Sequence, residues 1–287
     1  MFKNITLLGA KGFIGSYIKK TFIQKGINLN CFDKEDLNIN NKKQISNKIK
    51  KNTELIIHAA ALCGANESEK RPEKFLKTNF IGTVNIVEDM KKKKIKNLIF
   101  LSSLTVFGCS NKAVNEESFY NGRHVYSKTK ILCENFIKIF CKIHKINYII
   151  LRPTLVVGPG MKELHALGDF CKKIKNNNVL KIFGKGKHKR DFVHPYDVSS
   201  CIYKATKFLF NNRKINTFEE FNLSNNEPIS MRHLAFKIKN FFKTGKLKFV
   251  KKNYQTFSLF TENKKVMNKL NFRSKYSIKD IINDIKY

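Results

Sequence analysis

The segment ITLLGAKGFIG, residues 5–15, contains the pattern that decides the fold of this chain. Its first part, Ile5 to Gly9, is a short apolar run that predicts a buried strand. Its last part begins the segment Phe13 to Lys25, in which apolar side chains recur at helical spacing. A strand, a glycine turn and a helix therefore form the first unit of the chain, as in folds that bind dinucleotides.

Three glycines of this turn, Gly9, Gly12 and Gly15, follow the pattern G-x-x-G-x-x-G. Glycine permits a tight turn and lets the backbone come close to a pyrophosphate, whose charge is favoured at a helix N-terminus. An ordinary glycine loop is the alternative, but the position at the first strand-to-helix turn favours a cofactor site. The other predicted cofactor contacts of this turn are Lys11, Phe13 and Ile14.

The chain continues with alternating strand and helix patterns, which predict a parallel sheet covered on both faces. We therefore expect an α/β fold with a Rossmann-type doubly wound sheet in residues 1–155, to which residues 190–212 return. Residues 156–189 and 213–287 are expected to form a smaller, interleaved C-terminal substrate lobe. The predicted strands are 29–32, 55–58, 98–101 and 148–151, and the predicted helices are 42–50, 72–90, 126–143, 164–177, 196–210, 230–243 and 277–285.

The composition excludes several classes of protein. The net charge of +34 suggests nucleic acid as a partner, but only 7 of the 56 basic residues are Arg, and the Lys residues are scattered along the chain. Seven Cys residues show no C-x-x-C pair or metal spacing, which indicates free thiols in a reducing compartment. No segment approaches about 20 apolar residues. We expect a cytoplasmic enzyme without metal, nucleic acid or membrane.

An acidic residue ends the second predicted strand. Asp33 lies 18 residues after Gly15, where a carboxylate can accept hydrogen bonds from the adenosine ribose of NAD. Lys34 and Lys11 could instead meet the 2′-phosphate of NADP, and Asp33 could be a plain turn residue. The sequence favours NAD and leaves NADP open, with Asn38 as a further contact in the same turn.

The pair Tyr126 and Lys130 has the spacing Y-x-x-x-K, which places both side chains on one helical face. A tyrosine with its ordinary pKa near 10 is a poor base, but an ammonium group and an oxidised nicotinamide favour the phenolate. The pair could then act as acid and base on a substrate hydroxyl. An exposed helical pair is the alternative, which the hydroxyls of Ser102 and Ser103 at the end of the preceding strand disfavour.

These segments occur in the order known from one family. Besides the glycine turn, the chain has HAAA at 58–61, Asn79, SSLTVFG at 102–108, YSKTK at 126–130 and RDFVHPYDV at 190–198. Over essentially its whole length the chain resembles the extended short-chain dehydrogenases/reductases, in the group of NAD-dependent nucleotide-sugar epimerases and dehydratases.

The resemblance implies a role for each matching residue. Ser103, Tyr126 and Lys130 would be catalytic, and Lys130 would also hold the nicotinamide ribose. Ser103, Thr105 and Arg190 would contact the substrate. It also implies a homodimer that pairs through the helices at 72–90 and 126–143, and a setting in cell-surface polysaccharide synthesis. The further cofactor contacts would be Ala59, Ala60, Ala61, Asn79, Tyr126 and Lys130.

The two residues after Ser103 limit the reactions that the resemblance allows. Dehydratases of the group carry an Asp-Glu pair where this chain has Leu104 and Thr105. Decarboxylases carry Glu at the position of Thr105, and GDP-fucose synthase carries Cys at that of Leu104. The segment SLTVF resembles SATVY of UDP-galactose 4-epimerase. This implies hydride removal at a sugar C4, rotation of the keto intermediate and hydride return.

Two alternatives stay open. Leu155 and Val157 replace the Asn and Tyr that the family usually has, and residues 33–41, DKEDLNINN, resemble the keto-sugar reductases more than the epimerases. An NADPH-dependent keto-sugar-nucleotide reductase is therefore the second prediction. A non-catalytic NAD(P)-sensing protein is the third, and the intact pair Tyr126 and Lys130 disfavours it.

Overall fold

The structure is a computed structural model that describes residues 2–161, 166–212, 216–251 and 257–285. Its strands are β1 (Ile5–Leu8), β2 (Leu29–Phe32), β3 (Leu55–His58), β4 (Asn97–Leu101), β5 (Asn147–Pro153), β6 (Leu155–Val156), β7 (Val179–Phe183), β8 (Lys189–Arg190), β9 (Phe192–Val193), β10 (Phe218–Leu223), β11 (Ile229–Ser230) and β12 (Lys246–Val250). Its α-helices are α1 (Phe13–Gln24), α2 (Lys42–Lys48), α3 (Ala65–Lys70), α4 (Pro72–Phe75), α5 (Gly82–Lys93), α6 (Val125–Ile143), α7 (Ala166–Lys175), α8 (Pro195–Asn211), α9 (Met231–Phe242), α10 (Lys264–Leu270) and α11 (Ile278–Asp284).

The predicted doubly wound sheet is confirmed. Six parallel strands lie in the order β10-β5-β4-β3-β1-β2. The strands β1, β3, β4 and β5 are buried along their whole lengths, because helices cover both faces. Helices α1 and α8 pack on one face around Phe22 and Ile202, and α5 and α6 pack on the other around Ile86 and Ile137. The carboxyl ends of these strands meet at one edge, where such folds bind ligands.

The helix predicted over residues 72–90 is continuous but not uniform. It consists of α4, a π-helical segment at Leu76–Ile81, and α5, which extends to Lys93. Lys94 ends it in the left-handed conformation, with φ 60°. The π-helical segment carries Asn79, whose side chain is 2% exposed and lies between the turn after β3 and α6.

Strand β10 differs from the predicted division into domains. The sequence predicts residues 213–287 in the substrate lobe, but Phe218–Leu223 forms the edge of the main sheet in parallel register with β5. Helix α10, later in the chain, contributes Val266 and Leu270 to the core of the Rossmann unit. The reason is burial, because Phe221 and Leu223 of β10 lie in the same core.

The second lobe has a core of its own. It is built mainly from α7, β7, α9 and α11, with Leu167, Ile182, Leu234 and Ile281 completely buried. Within the described ranges, no helix is long and apolar enough to cross a membrane.

Candidate active site

The glycine turn between β1 and α1 has the shape that a dinucleotide needs. Gly9 has φ +85°, and a Cβ added there would lie 2.8 Å from the backbone of Ala60. A Cβ at Gly15 would lie 1.9 Å from the carbonyl oxygen of Gly9. Gly12 is the N-cap of α1 and offers no side-chain cap, so the first amides of the helix have no side-chain acceptor from the cap residue. The residues present therefore fit the pyrophosphate of a dinucleotide.

Lys11 of this turn belongs to an ion-pair cluster in which Lys11 and Glu35 are exposed and Asp33 is partly buried. The Lys11 ammonium lies 2.9 Å from Asp33 Oδ2 and 3.1 Å from Glu35 Oε2. The hydrogen bond from Lys11 lowers the pKa of Asp33 to about 2, and the same contacts raise the pKa of Lys11. Asp33 thus keeps its charge, but Lys11 compensates it. Lys34, the other predicted cation, is exposed.

The turn after β3 lies beside the glycine turn and is fixed by Asn79. Ala59 donates from its backbone N–H to Leu8 O at 3.0 Å, which keeps residues 59–61 against the end of β1. Asn79 accepts from the N–H of Leu62 at 2.8 Å and donates to the carbonyl of Leu62 at 3.0 Å. Its amide also donates to Thr129 Oγ1 at 3.1 Å. Asn79 therefore holds this turn to α6, the helix that carries the predicted acid and base.

The three predicted catalytic side chains meet at the carboxyl end of β4. The Ser103 hydroxyl interacts with the phenol of Tyr126, and it accepts a hydrogen bond from Thr105 Oγ1 at 2.9 Å. Lys130 is 3% exposed and donates from Nζ to Leu101 O at 2.7 Å. Its ammonium also lies 4.6 Å from the centroid of the Phe100 ring. An ammonium has three donors, so Lys130 can bind a further oxygen while it keeps this carbonyl.

Burial is the main influence on the protonation of Tyr126 and Lys130. Desolvation raises the pKa of Tyr126 well above its ordinary value, and the Ser103 hydroxyl opposes the shift. Desolvation lowers the pKa of Lys130. In the cofactor-free protein Tyr126 is thus a neutral phenol, able to donate a proton. The thiol of Cys63, 4.0 Å from Tyr126 Oη, is a neighbour that the sequence analysis did not single out.

A buried network of charged side chains lies next to the predicted catalytic residues. Glu134 follows Lys130 by one turn of α6 and is completely buried. It accepts from Arg152 Nε at 3.1 Å and 3.0 Å and from Arg152 Nη2 at 2.6 Å. It also accepts from the hydroxyls of Ser102 and Tyr120. The network therefore ties the strand end that carries Ser103 to the helix that carries Lys130.

The remaining predicted residues are placed as follows. Thr105 orients Ser103 by its hydroxyl. Arg190, half-buried, donates to the carbonyls of Lys189 and Phe257, and burial lowers its pKa. Asn38 stabilises its own turn, because its Oδ1 accepts from the N–H of Asn40 at 3.0 Å. Leu155 and Val157 pack with the core of the second lobe, which explains apolar side chains at these two positions.

The residues that sequence reasoning missed are those of the network, Glu134, Arg152 and Tyr120, together with Cys63 and His124. Two signals were available: the position of Glu134 on the helical face of Tyr126 and Lys130, and the family segment LRP at 151–153, which contains Arg152. Arg152 comes from β5 and Tyr120 from a loop, so that no local spacing connects them with Glu134.

Comparison with known proteins agrees with this geometry. The sequence model of the NAD-dependent epimerase/dehydratase family matches residues 5–223. A protein of Methanocaldococcus jannaschii, provisionally named as a UDP-glucose 4-epimerase, is 30% identical over 253 residues, which are 81% of this chain and 83% of that protein. The chain belongs to the NAD-dependent epimerase/dehydratase family. The predicted family and its class of enzyme are confirmed.

Two solved structures show the same fold. UDP-glucose-4-epimerase of Stenotrophomonas maltophila, with bound NAD and formylated UDP-arabinopyranose, has a TM-score of 0.88 at 19% identity and covers 99% of this chain and 96% of its own. RMD of Pseudomonas aeruginosa, complexed with NADPH, has a TM-score of 0.85 at 16% identity and covers 99% and 97%. Neighbours of this fold thus hold either form of the cofactor.

Proposed function

We propose that this chain is a nucleotide-sugar 4-epimerase that uses NAD. The observation that carries the proposal is the surroundings of Ser103. Leu104, next to Ser103, is 1% exposed, and the Thr105 hydroxyl donates a hydrogen bond to Ser103. No carboxylate stands at these two positions, where the dehydratases have a second acid and base. One proton-transferring residue, Tyr126, suffices for removing and returning a hydride at one carbon.

The residues of the chain would divide the work as follows. NAD, when bound, would supply the site that accepts and returns the hydride. Tyr126 Oη would take the proton of the sugar hydroxyl and give it back after the keto sugar has turned. Ser103, oriented by Thr105, would hydrogen-bond the same sugar oxygen. Lys130 would stabilise the phenolate and hold a ribose hydroxyl, and Gly9, Gly12 and Gly15 would hold the pyrophosphate.

A reductase that consumes NADPH is the second candidate, and one observation favours it. Lys11 compensates the charge of Asp33, which would otherwise repel a 2′-phosphate. The neighbour that holds NADPH supports the same reading. The two candidates differ in what happens to the cofactor, since an epimerase recycles it and a reductase consumes it.

Mass spectrometry of the cofactor released from denatured protein, followed by incubation with UDP- and GDP-sugars, tests the proposal. Retained NAD and an isomerised sugar, without net change in nicotinamide absorbance, are expected. Consumption of added NADPH with a keto sugar would establish the reductase. Absence of both, with every sugar tried, would overturn the assignment to sugar nucleotides.

A homodimer is part of the proposal. Five apolar side chains on the outer faces of the two predicted interface helices are between 42% and 68% exposed. They are Leu76, Ile81, Leu132, Ile139 and Ile143. They would be covered by the same helices of a second copy. Sedimentation of Ile139→Asp, with Phe183→Asp on the other lobe as the control, tests it: only Ile139→Asp should weaken the dimer.

A further inference from the structure

The helix that carries Tyr126 begins at an unusual residue. The N-cap of α6 is His124, whereas Ser, Thr, Asp and Asn are the residues that usually cap helices. The ring nitrogen Nδ1 accepts a hydrogen bond from the N–H of Ser127 at 3.1 Å. Ser127 Oγ in return accepts from the N–H of His124 at 3.2 Å. Because Nδ1 is an acceptor here, the cap exists only while the imidazole is neutral.

The same imidazole touches the proposed acid and base. Its ring lies parallel to the Tyr126 ring, with an angle of 6° and 5.9 Å between the centroids. Phe75 meets Tyr126 edge-on, at 6.5 Å and 83°. Two rings on neighbouring elements thus restrict the orientation of the phenol. A capping Ser or Asn would start the helix equally well but could not stack.

The surroundings keep this histidine neutral. Burial lowers its pKa, and the carboxylate of Glu69 on α3 opposes this shift. Glu69 accepts a hydrogen bond from the N–H of Val125 at 2.9 Å. A cavity of about 440 Å³ lies beside His124 and is lined by three further charged residues, Glu73 on α4, Arg123 before α6 and Lys128 on α6.

We propose that His124 is a positioning residue that sets the orientation of the Tyr126 ring and makes this orientation depend on pH. Neutral His124 caps α6 and stacks on the phenol. Protonated His124 loses the acceptor for Ser127 and places a positive charge at the positive end of the helix. The first turn of α6 then loosens, and the Tyr126 hydroxyl moves relative to Ser103. The catalytic meaning of this motion rests on the proposed function, but the motion itself does not.

Fluorine NMR of protein labelled with 3-fluorotyrosine tests the proposal without a substrate. The resonance of Tyr126 is identified by its absence in Tyr126→Phe. In the otherwise unchanged protein it should shift as the pH falls from 8 to 5, with a midpoint below 6.5, the ordinary pKa of histidine. A Tyr126 resonance that does not titrate in this range would overturn the inference before any histidine variant is made.

Three variants separate capping, stacking and titration. His124→Asn and His124→Ser retain a cap but remove the ring and the proton, so the shift with pH should disappear. His124→Val removes the cap as well and should lower the thermal midpoint by roughly 2–4 °C relative to His124→Asn at pH 8. The matched control is His144→Asn, at the C-cap of the same helix, which should leave the Tyr126 titration unchanged.

Two results contradict the inference. One is a Tyr126 titration that persists in His124→Asn, and the other is a titration that His144→Asn abolishes. Neither bears on the proposed function, which fails instead if Tyr126→Phe retains the epimerase activity.

Discussion

The charged side chains at the two ends of the cofactor site differ in their exposure to solvent. At the catalytic end, Lys130, Glu134 and Arg152 are at most 3% exposed. Several hydrogen bonds join Glu134 and Arg152, and Lys130 donates one to the carbonyl of Leu101. At the adenosine end, Lys11 has 69% and Glu35 has 84% of its side chain exposed. A buried charge is costly unless it is paired, whereas solvent screens an exposed pair. The geometry is therefore rigid at the first end and adjustable at the second.

The largest effect is expected at the catalytic end from Tyr126→Phe. Removal of the proton-transferring hydroxyl should lower turnover by between about 10² and 10⁴. NAD binding should stay intact, because the glycine turn is unchanged. Since burial raises the pKa of Tyr126, turnover of the unmodified enzyme should also rise with pH from neutrality. Steady-state kinetics and a binding titration measure both, with Tyr203→Phe as the control, and full activity in Tyr126→Phe would refute the assignment.

The second effect concerns stability. Arg152→Met leaves Glu134 buried without its cation and should reduce the free energy of unfolding by about 3–5 kcal/mol. The double variant Glu134→Gln with Arg152→Met should recover part of this loss. Glu134 then carries no charge, and Glu220, the second carboxylate at Arg152, keeps its ion pair with Lys138. Denaturant unfolding measures the difference. For the exposed pair Lys173 and Asp169, Lys173→Met should cost less than about 1 kcal/mol. Equal losses at the two pairs would show that burial does not strengthen the Glu134–Arg152 pair.

A smaller effect is expected at the adenosine end. Lys11→Met removes the compensation of Asp33, so NADPH should bind more weakly while NADH is little affected. The preference for NADH over NADPH should rise by less than about tenfold, because Lys11 is 69% exposed and solvent screens its charge. Fluorescence titration with both cofactors measures it, and Lys34→Met is the matched control. If Lys34→Met changes the preference more than Lys11→Met does, Lys34 is the residue that meets the phosphate.

The smallest effect concerns salt. Raising the ionic strength from 0.01 to 1 M shortens the screening length from about 30 Å to about 3 Å. The contribution of Lys11 to cofactor preference should therefore shrink. The thermal midpoint should depend on salt to the same extent in the unmodified protein and in the double variant Glu134→Gln with Arg152→Met, because the side chains of Glu134 and Arg152 are both 0% exposed. A large difference would show that salt screens this pair.

Sequence patterns predicted most elements of the fold. Strands β2 and β3 have the predicted bounds, and the helix predicted at 126–143 begins one residue earlier. These succeed because hydrophobic periodicity and glycine turns act over a few residues. The π turn at Leu76–Ile81 and the place of β10 were not predictable, since each depends on neighbours distant in the chain.

For the candidate site, the family motifs, the glycine turn, and the spacing of Tyr126 and Lys130 on one face of a helix could be read from the sequence. The contacts of Arg152 with Glu134 and of Lys11 with Asp33 required the folded chain, as did the histidine that caps the catalytic helix and stacks on its tyrosine. The reason is the distance along the chain over which each effect acts. Helical spacing and turn chemistry are set by the backbone within one or two turns, whereas burial, which fixes pKa values and the strength of each charge, is a property of the whole packed chain.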